Sequence, residues 1–459
     1  MSGKSTTGVS NEEFWRELGI DIEKHDELMK MLPVIYQNVY LTQANRPKNI
    51  AYFDNFIADI HGARPKEVFE RKKRGDKVIG AFCAYFPEEV VLAAGAVPLI
   101  LCGGADFPVA DAEKILPRNT CPLIKSSFGF RTSKTCPYFL SADLLVGETT
   151  CGGKKKMYEL LNEYTPTYTL HLPHKKDDAE ARKLWLNEVK LFKNEIEEIT
   201  GSRITYDKLK EAILRVNRKR EVLRRLYNTR KASPPPISGK DVLLIMQLAF
   251  FDEVDRFVQK TEELINELEG RIKRGEGVFP KDAPRILVSG TPMTVPNWKL
   301  HDIIEKSGAV VVAEESCTGT RYFSELVEPD SGSVNIQLKN LAERYLHINC
   351  ACFTPNAERP EDVVRLAKEY KADGVVYYVL QFCHEFNIEF AKVERALKEE
   401  GIPVIKIETD YSQSDTGQLK TRLETFIEIL RASKVKPRGA VPAGKPLASV
   451  KVPVGAEIA

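Results

Sequence analysis

Two stretches of this chain, far apart in sequence, follow the same order: a short apolar run, a helix-forming stretch, a glycine, and a second apolar run. In the first, Val78-Ile79-Gly80-Ala81-Phe82 leads to Pro87-Glu88-Glu89-Val90-Val91-Leu92-Ala93-Ala94, then Gly95, then Val97-Pro98-Leu99-Ile100-Leu101. In the second, Arg285-Ile286-Leu287-Val288-Ser289-Gly290 leads to a helical stretch over Lys299–Lys306, then Gly308 and Ala309-Val310-Val311-Val312. Each is followed by two more apolar runs, Leu144-Leu145-Val146 and Tyr168-Thr169-Leu170-His171-Leu172 in the first, Val375-Val376-Tyr377-Tyr378-Val379-Leu380 and Ile402-Pro403-Val404-Ile405-Lys406-Ile407 in the second. Proline at a first helical turn and glycine just past a helix end are the expected punctuation. Strands alternating with helices predict parallel sheets covered by helices. The pattern predicts an α/β chain with two similar open-sheet domains, at 76–176 and 281–432, from an internal duplication.

The remaining segments read differently. Residues 177–280 are charged and poor in glycine. Leu184, Trp185, Val189 and Phe192 mark one amphipathic face, and Leu209, Ile213 and Val216 another, so this segment is predicted as a helical domain. Ser233-Pro234-Pro235-Pro236 interrupts it, and Ser238-Gly239-Lys240-Asp241 is a capping box that restarts a helix. Residues 1–75 form an N-terminal helical segment: a loose polar start over 1–10, then Phe14, Trp15, Leu18, Leu28, Leu32, Ile35 and Tyr36 at helical spacing. It ends on Arg71-Lys72-Lys73-Arg74, read as a solvated helix end. Residues 433–459 lack helical periodicity and read as a tail.

Composition narrows the function classes. The 459 residues leave room for roughly two to four domains. Lys+Arg 67 against Asp+Glu 65 gives a net charge of +2, so no strong field exists to draw nucleic acid or an anionic membrane. The basic stretch from Arg215 to Arg225 is interspersed with Glu and reads as a solvated helix rather than an RNA contact. No apolar run reaches the ~18–20 residues that a bilayer span needs. Met1-Ser2-Gly3-Lys4-Ser5-Thr6-Thr7 has no apolar core, so the expectation is a soluble, cytoplasmic protein without a secretory signal. In that reducing compartment nine cysteines, an odd number, are not a disulfide framework.

The cysteines fall on the predicted strand ends. Cys83 closes the first strand, Cys102 the second, and Cys151 follows the third; Cys317 and Cys383 hold the second and third positions of the other half. Cys121 and Cys136 lie in the connection between strands two and three, and Cys350 and Cys352 in the matching connection. Open α/β sheets bind ligands beyond the carboxyl ends of their strands, so two facing sheets would converge these thiols on one cleft. Free cysteine is also a common small core residue, but placement at strand ends is systematic here. Paired C-x₂-C zinc units are absent, four clustered ligands that include His347 or His384 cannot be picked out, and neither ferredoxin spacing occurs. Spacing alone leaves a metal or iron–sulfur site open.

Several stretches resemble the 2-hydroxyacyl-CoA dehydratase and benzoyl-CoA reductase family. They are Cys83-Ala84-Tyr85-Phe86-Pro87-Glu88-Glu89, Cys121-Pro122-Leu123-Ile124-Lys125-Ser126-Ser127, Glu148-Thr149-Thr150-Cys151-Gly152-Gly153-Lys154-Lys155-Lys156, Gln381-Phe382-Cys383-His384 and Glu408-Thr409-Asp410-Tyr411-Ser412, within roughly 20–430. The added Thr135-Cys136-Pro137, Ser316-Cys317-Thr318-Gly319 and Cys350-Ala351-Cys352 look most like its double-cubane cluster proteins.

The resemblance implies two flavodoxin-like domains plus a helical part, and an iron–sulfur cluster held by Cys83, Cys121 and Cys383. A double cubane, 8Fe-9S, has one iron of each cubane taken by the bridge and six left for thiolates; Cys136, Cys317, Cys350 and Cys352 are the added candidates. Cys102 and Cys151 are left as packing or supporting residues. The family's aspartate after the cysteine matching Cys151 is Gly152 here, and Gly152-Gly153-Lys154-Lys155-Lys156 could receive a phosphate at a helix start or be a solvated helix start.

The chain has no Walker A and no G-x-G-x-x-G motif. Electrons are implied to come from a separate dimeric ATPase that carries its own iron–sulfur cluster. The expected activity is an anaerobic oxidoreductase, a homodimer, that reduces a small-molecule substrate at low potential. Glu88, Lys125 and His384 are candidate proton donors because each neighbours a predicted ligand. A 2-hydroxyacyl-CoA dehydratase subunit with one 4Fe-4S cluster is the alternative, and an electron-storage protein the non-enzymatic one.

Overall fold

The computed structural model describes residues 11–330 and 332–435. The loose start expected over 1–10 lies outside them, as does the expected tail apart from its first three residues. Two four-stranded sheets carry the architecture. The first joins β1 (Val78–Ala81), β2 (Val97–Ile100), β3 (Leu144–Glu148) and β4 (Thr167–Leu170) in the order β2-β1-β3-β4. The second joins β5 (Arg285–Gly290), β6 (Val310–Glu315), β7 (Gly374–Leu380) and β8 (Val404–Thr409) in the order β6-β5-β7-β8. Both are fully parallel and share one strand order, as the repeated sequence pattern predicts. The apolar runs are explained by helices on both faces, which bury β1, β3, β5, β6 and β7 completely.

Among the described residues four α-helices precede the first sheet: α1 (Asn11–Glu17), α2 (Ile22–Tyr36), α3 (Ala51–Ala58) and α4 (Ala63–Lys73). Around that sheet stand α5 (Glu88–Ala93), α6 (Val109–Ala112), α7 (Pro122–Thr132), α8 (Pro137–Ser141) and α9 (Gly152–Leu161). The helical insertion is α10 (Ala179–Thr200), α11 (Tyr206–Thr229), α12 (Gly239–Leu248) and α13 (Val254–Lys273). Around the second sheet stand α14 (Lys299–Lys306), α15 (Thr320–Phe323), α16 (Val334–Leu346), α17 (Glu358–Glu369), α18 (His384–Glu399) and α19 (Thr416–Val435). Gly95 and Gly308 end α5 and the α14 turn at matching places with φ of 82° and 81°, a conformation that costs glycine little. Among the described residues no helix is long and apolar enough to cross a membrane.

The insertion joins the halves. Ser238 caps α12 by accepting from the Asp241 N–H, as the capping-box spacing predicts, and every residue of that helix is buried. Glu88 and Glu89 on α5 are both buried and both taken by α11: Lys219 Nζ lies 2.5 Å from Glu88 and Arg220 Nη2 2.6 Å from Glu89. Two tyrosines of the second half complete the junction. Tyr322 Oη donates to Glu88, and Tyr345 Oη donates to Glu89 at 2.8 Å. The stretch from Arg215 to Arg225 is therefore not a solvated face throughout: carboxylates brought in by the fold draw Lys219 and Arg220 inward. The run at the end of α4 is a solvated helix end as expected, with surface pairs of Arg71 to Asp76, Lys72 to Asp143 and Lys73 to Glu17.

Removing one partner of a buried pair leaves an uncompensated charge, at a cost of about 3–5 kcal/mol. Arg220→Met should lower the apparent Tm sharply in a thermal melt. Arg220→Met combined with Glu89→Leu should recover much of the loss, because neither charge is then left alone.

Candidate functional site

Parallel strands of one sheet end on one edge, so whatever follows them is gathered there. Cys83, Cys102 and Cys317 come two residues after β1, β2 and β6, and Cys151 and Cys383 three after β3 and β7. Cys121 caps the start of α7, and Cys350 and Cys352 sit between α16 and α17. All eight line a single cavity of ≈ 380 Å³ between the two sheets. Four come from the first half, Cys83, Cys102, Cys121 and Cys151, and four from the second, Cys317, Cys350, Cys352 and Cys383. Phe250 and Phe251, just past α12, close it from the insertion side. Cys136 is not among the lining residues; it caps α8 and borders a neighbouring cavity of ≈ 60 Å³ with Cys102, His61 and Tyr138. None of the nine cysteines is in a disulfide.

The thiols form two groups. Cys83 and Cys317 face each other across the junction of the halves, close enough for each to shift the other's ionisation. That contact, with the Arg321 guanidinium 3.8 Å from the Cys317 sulfur, brings the Cys317 thiol down, against the opposing effect of burial. The same contact and burial push Cys83 up. Cys350 and Cys352 pair likewise, lowering the first and raising the second, and Cys350 feels the Cys317 charge. On the other side Cys121, Cys151 and Cys383 are near enough for the charge on one to disfavour that on the next. Burial raises all three, and helix-start amides act against it: Leu123 and Ile124 donate to Cys121, Lys154 to Cys151 at 3.4 Å, and Phe386 to Cys383. Burial pushes Cys102 up to about 12, and its thiol donates to the Phe82 carbonyl. The turn that sets Cys383 puts Phe382 at φ 63°, a left-handed conformation rare for a bulky side chain.

This donor set suits a polynuclear group. Among the described residues no three His, Cys, Asp or Glu side chains close on a point where one metal ion would sit. Thiolates of an iron–sulfur cluster each bind a different iron and stand around a volume, which is how these eight are disposed.

Of the expected proton donors, His384 lines the cavity, beside Glu385. Glu88 does not, being held at the α5–α11 junction. Lys125, on the same helix as Cys121, turns to Glu113 at 2.8 Å and the Arg118 carbonyl at 3.0 Å and is not a lining residue. His347 pairs with Glu325 at 2.7 Å, away from the cavity. Lys154 is buried in the wall, whereas Lys155 and Lys156 are exposed. A Cβ at Gly152 would meet nothing within 4 Å, so space does not exclude the missing aspartate. Sequence reasoning did not single out Arg321, whose only signal is its place one helical turn past Cys317.

The 2-hydroxyglutaryl-CoA dehydratase D-component profile matches residues 83–430. A putative dehydratase subunit, YjiM, of Escherichia coli K12 is 41% identical over 83% of the chain and 98% of that protein. The beta subunit of (R)-2-hydroxyglutaryl-CoA dehydratase of Acidaminococcus fermentans is 26% identical over 80% of the chain and 96% of its own length. A benzoyl-CoA reductase subunit of Thauera aromatica is 21% identical over 77% of the chain and 91% of its own length.

Thiolate is the reactive form of cysteine. In the metal-free chain the Cys317 thiol is held below the usual range by Cys83 and Arg321, while burial pushes Cys102 up to about 12. Iodoacetamide followed by peptide mass spectrometry should label Cys317 well before Cys102, and Arg321→Met should slow the labelling of Cys317.

Proposed function

From a chain that belongs to the 2-hydroxyglutaryl-CoA dehydratase D-component family, we propose an iron–sulfur reductase that acts on a small molecule in the cavity between its two sheets. The observation that carries this reading is the convergence of eight free thiols, four from each half, on one cavity. Cys83, Cys317 and one of Cys350 and Cys352 would hold one cubane of a double-cubane cluster, and Cys121, Cys151 and Cys383 the other. This assignment moves Cys151 into the ligand set and leaves Cys136 out, because Cys136 is not among the lining residues. Such a cluster, when bound, supplies low-potential electrons. A separate ATP-hydrolysing activator would deliver them, and the naming of the relatives as subunits agrees with work in a larger assembly.

The chain's own residues account for the rest. Cys102 stays protonated and packs. Phe250 and Phe251 keep water from the insertion side. His384 and Glu385 can hold and pass a proton at the cavity rim. Drug-sized ligands need roughly 300–1,000 Å³, so a cavity of ≈ 380 Å³ that also holds a cluster leaves space for a small substrate only. Among the described residues the one lysine in its wall is committed to Glu148, so it does not await the phosphates of coenzyme A there.

A dehydratase subunit with a single cubane is the second reading, favoured by the names of the family and of its relatives. Iron and acid-labile sulfide on anaerobically purified protein separate the two. About eight irons per chain are expected for the reductase and about four for the dehydratase; zinc or no metal overturns both. Cys83→Ser and Cys383→Ser should each lower the iron content, while Cys136→Ser should leave it unchanged.

A further inference from the structure

Two buried cations, one from each half of the molecule, stand beside the cavity that the thiols line. From the first half, Lys154 Nζ lies 3.1 Å from Glu148 Oε2 and 3.3 Å from the carbonyl of Phe82, the residue before Cys83. From the second, Arg321 Nη1 lies 3.8 Å from the Cys317 sulfur, while its Nε and Nη2 hold the two Glu315 oxygens at 2.5 and 2.9 Å. The local spacing is alike, each cation six residues past its carboxylate, although the two strands do not correspond in the repeat. Glu148 is the last residue of β3 and Glu315 the last of β6, and both carboxylates are shut from solvent. Glu315 is fixed further by Ser289 Oγ at 2.6 Å and Arg359 Nη2 at 3.0 Å, and Glu148 by Tyr158 Oη at 3.4 Å.

A buried ammonium or guanidinium stays charged only with such a partner. Structural need alone does not require Arg321 to reach toward the Cys317 sulfur or Lys154 to bond the backbone of the segment that carries Cys83. The low dielectric of the wall makes a fixed positive charge effective over short distance. Hydrogen bonds to sulfur and local charge set the potential of thiolate-held iron.

We propose that Lys154 and Arg321 are positioning residues that stabilise the negative charge added when a group held by Cys83 and Cys317 is reduced, and so raise its reduction potential. The step is the gain of one electron from an external low-potential reductant, with no bond made or broken by either residue. The inference rests on the cluster reading above.

The test is a redox titration of the anaerobically purified full chain, followed by electron paramagnetic resonance, with iron counted in every sample. Lys154→Met and Arg321→Met should each shift the midpoint negative, on the scale of 59 mV that changes the reduced fraction tenfold for one electron. Lys154→Arg and Arg321→Lys should stay near the parent value. If a Met variant does not retain iron, Lys154→Met/Glu148→Gln and Arg321→Met/Glu315→Gln leave no stranded carboxylate and should shift the midpoint in the same direction by less, because a negative charge leaves with the positive one. Normal iron with an unmoved midpoint overturns the proposal and leaves the cluster reading standing. Loss of iron in single and double variants alike, with iron kept by the charge-preserving ones, assigns the cations to assembly and also overturns it. A parent chain without iron and sulfide overturns the cluster reading itself.

Discussion

The pairs Glu88–Lys219 and Glu89–Arg220 hold the molecule's two halves in their working relation. Glu88 and Glu89 belong to the first half and Lys219 and Arg220 to the insertion, while Tyr322 and Tyr345 of the second half bind the same two carboxylates. Charges this deep are stable only when every partner is present, so the junction forms with all three segments in place or not at all. Beside it the Tyr85 hydroxyl donates to the Ile348 carbonyl at 2.7 Å, tying the segment after Cys83 to the one before Cys350. The facing of the two strand-end edges, and with it the cavity, follows from this contact.

The duplication gives that facing its chemistry. A parallel sheet has one edge where its strands end, and its loops leave backbone amides free to point at anions. Two such sheets in one chain, set edge to edge, place thiols from both walls around one volume. Close approach elsewhere supports the fit: a Cβ at Gly104 would stand 2.1 Å from the Thr294 carbonyl oxygen, so first-half backbone lies directly on second-half backbone there.

Much of this was legible in the sequence because covered parallel strands are apolar runs, and such runs declare themselves. Val375 to Leu380 could be little else. The gathering of Cys83, Cys102, Cys151, Cys317 and Cys383 was legible for a topological reason, since residues after parallel strands share an edge. What required three dimensions was side-chain direction. Glu88 lies five residues after Cys83, but by then the chain has entered α5 and faces the insertion. Lys125 lies four after Cys121 on one helix, yet Glu113 draws it away. Lys154 was visible only as part of a lysine run, of which one member faces inward. Nothing local distinguishes Arg321 from a surface arginine.

The even division of the lining thiols makes each half an incomplete vessel. Each wall brings its own thiols, whereas the cavity exists only as a relation between the two. A ligand gripped from both walls acts as a clasp, adding its binding free energy to the seam and little to either core. Stripping it would therefore be felt at the seam first, as local opening between the two walls.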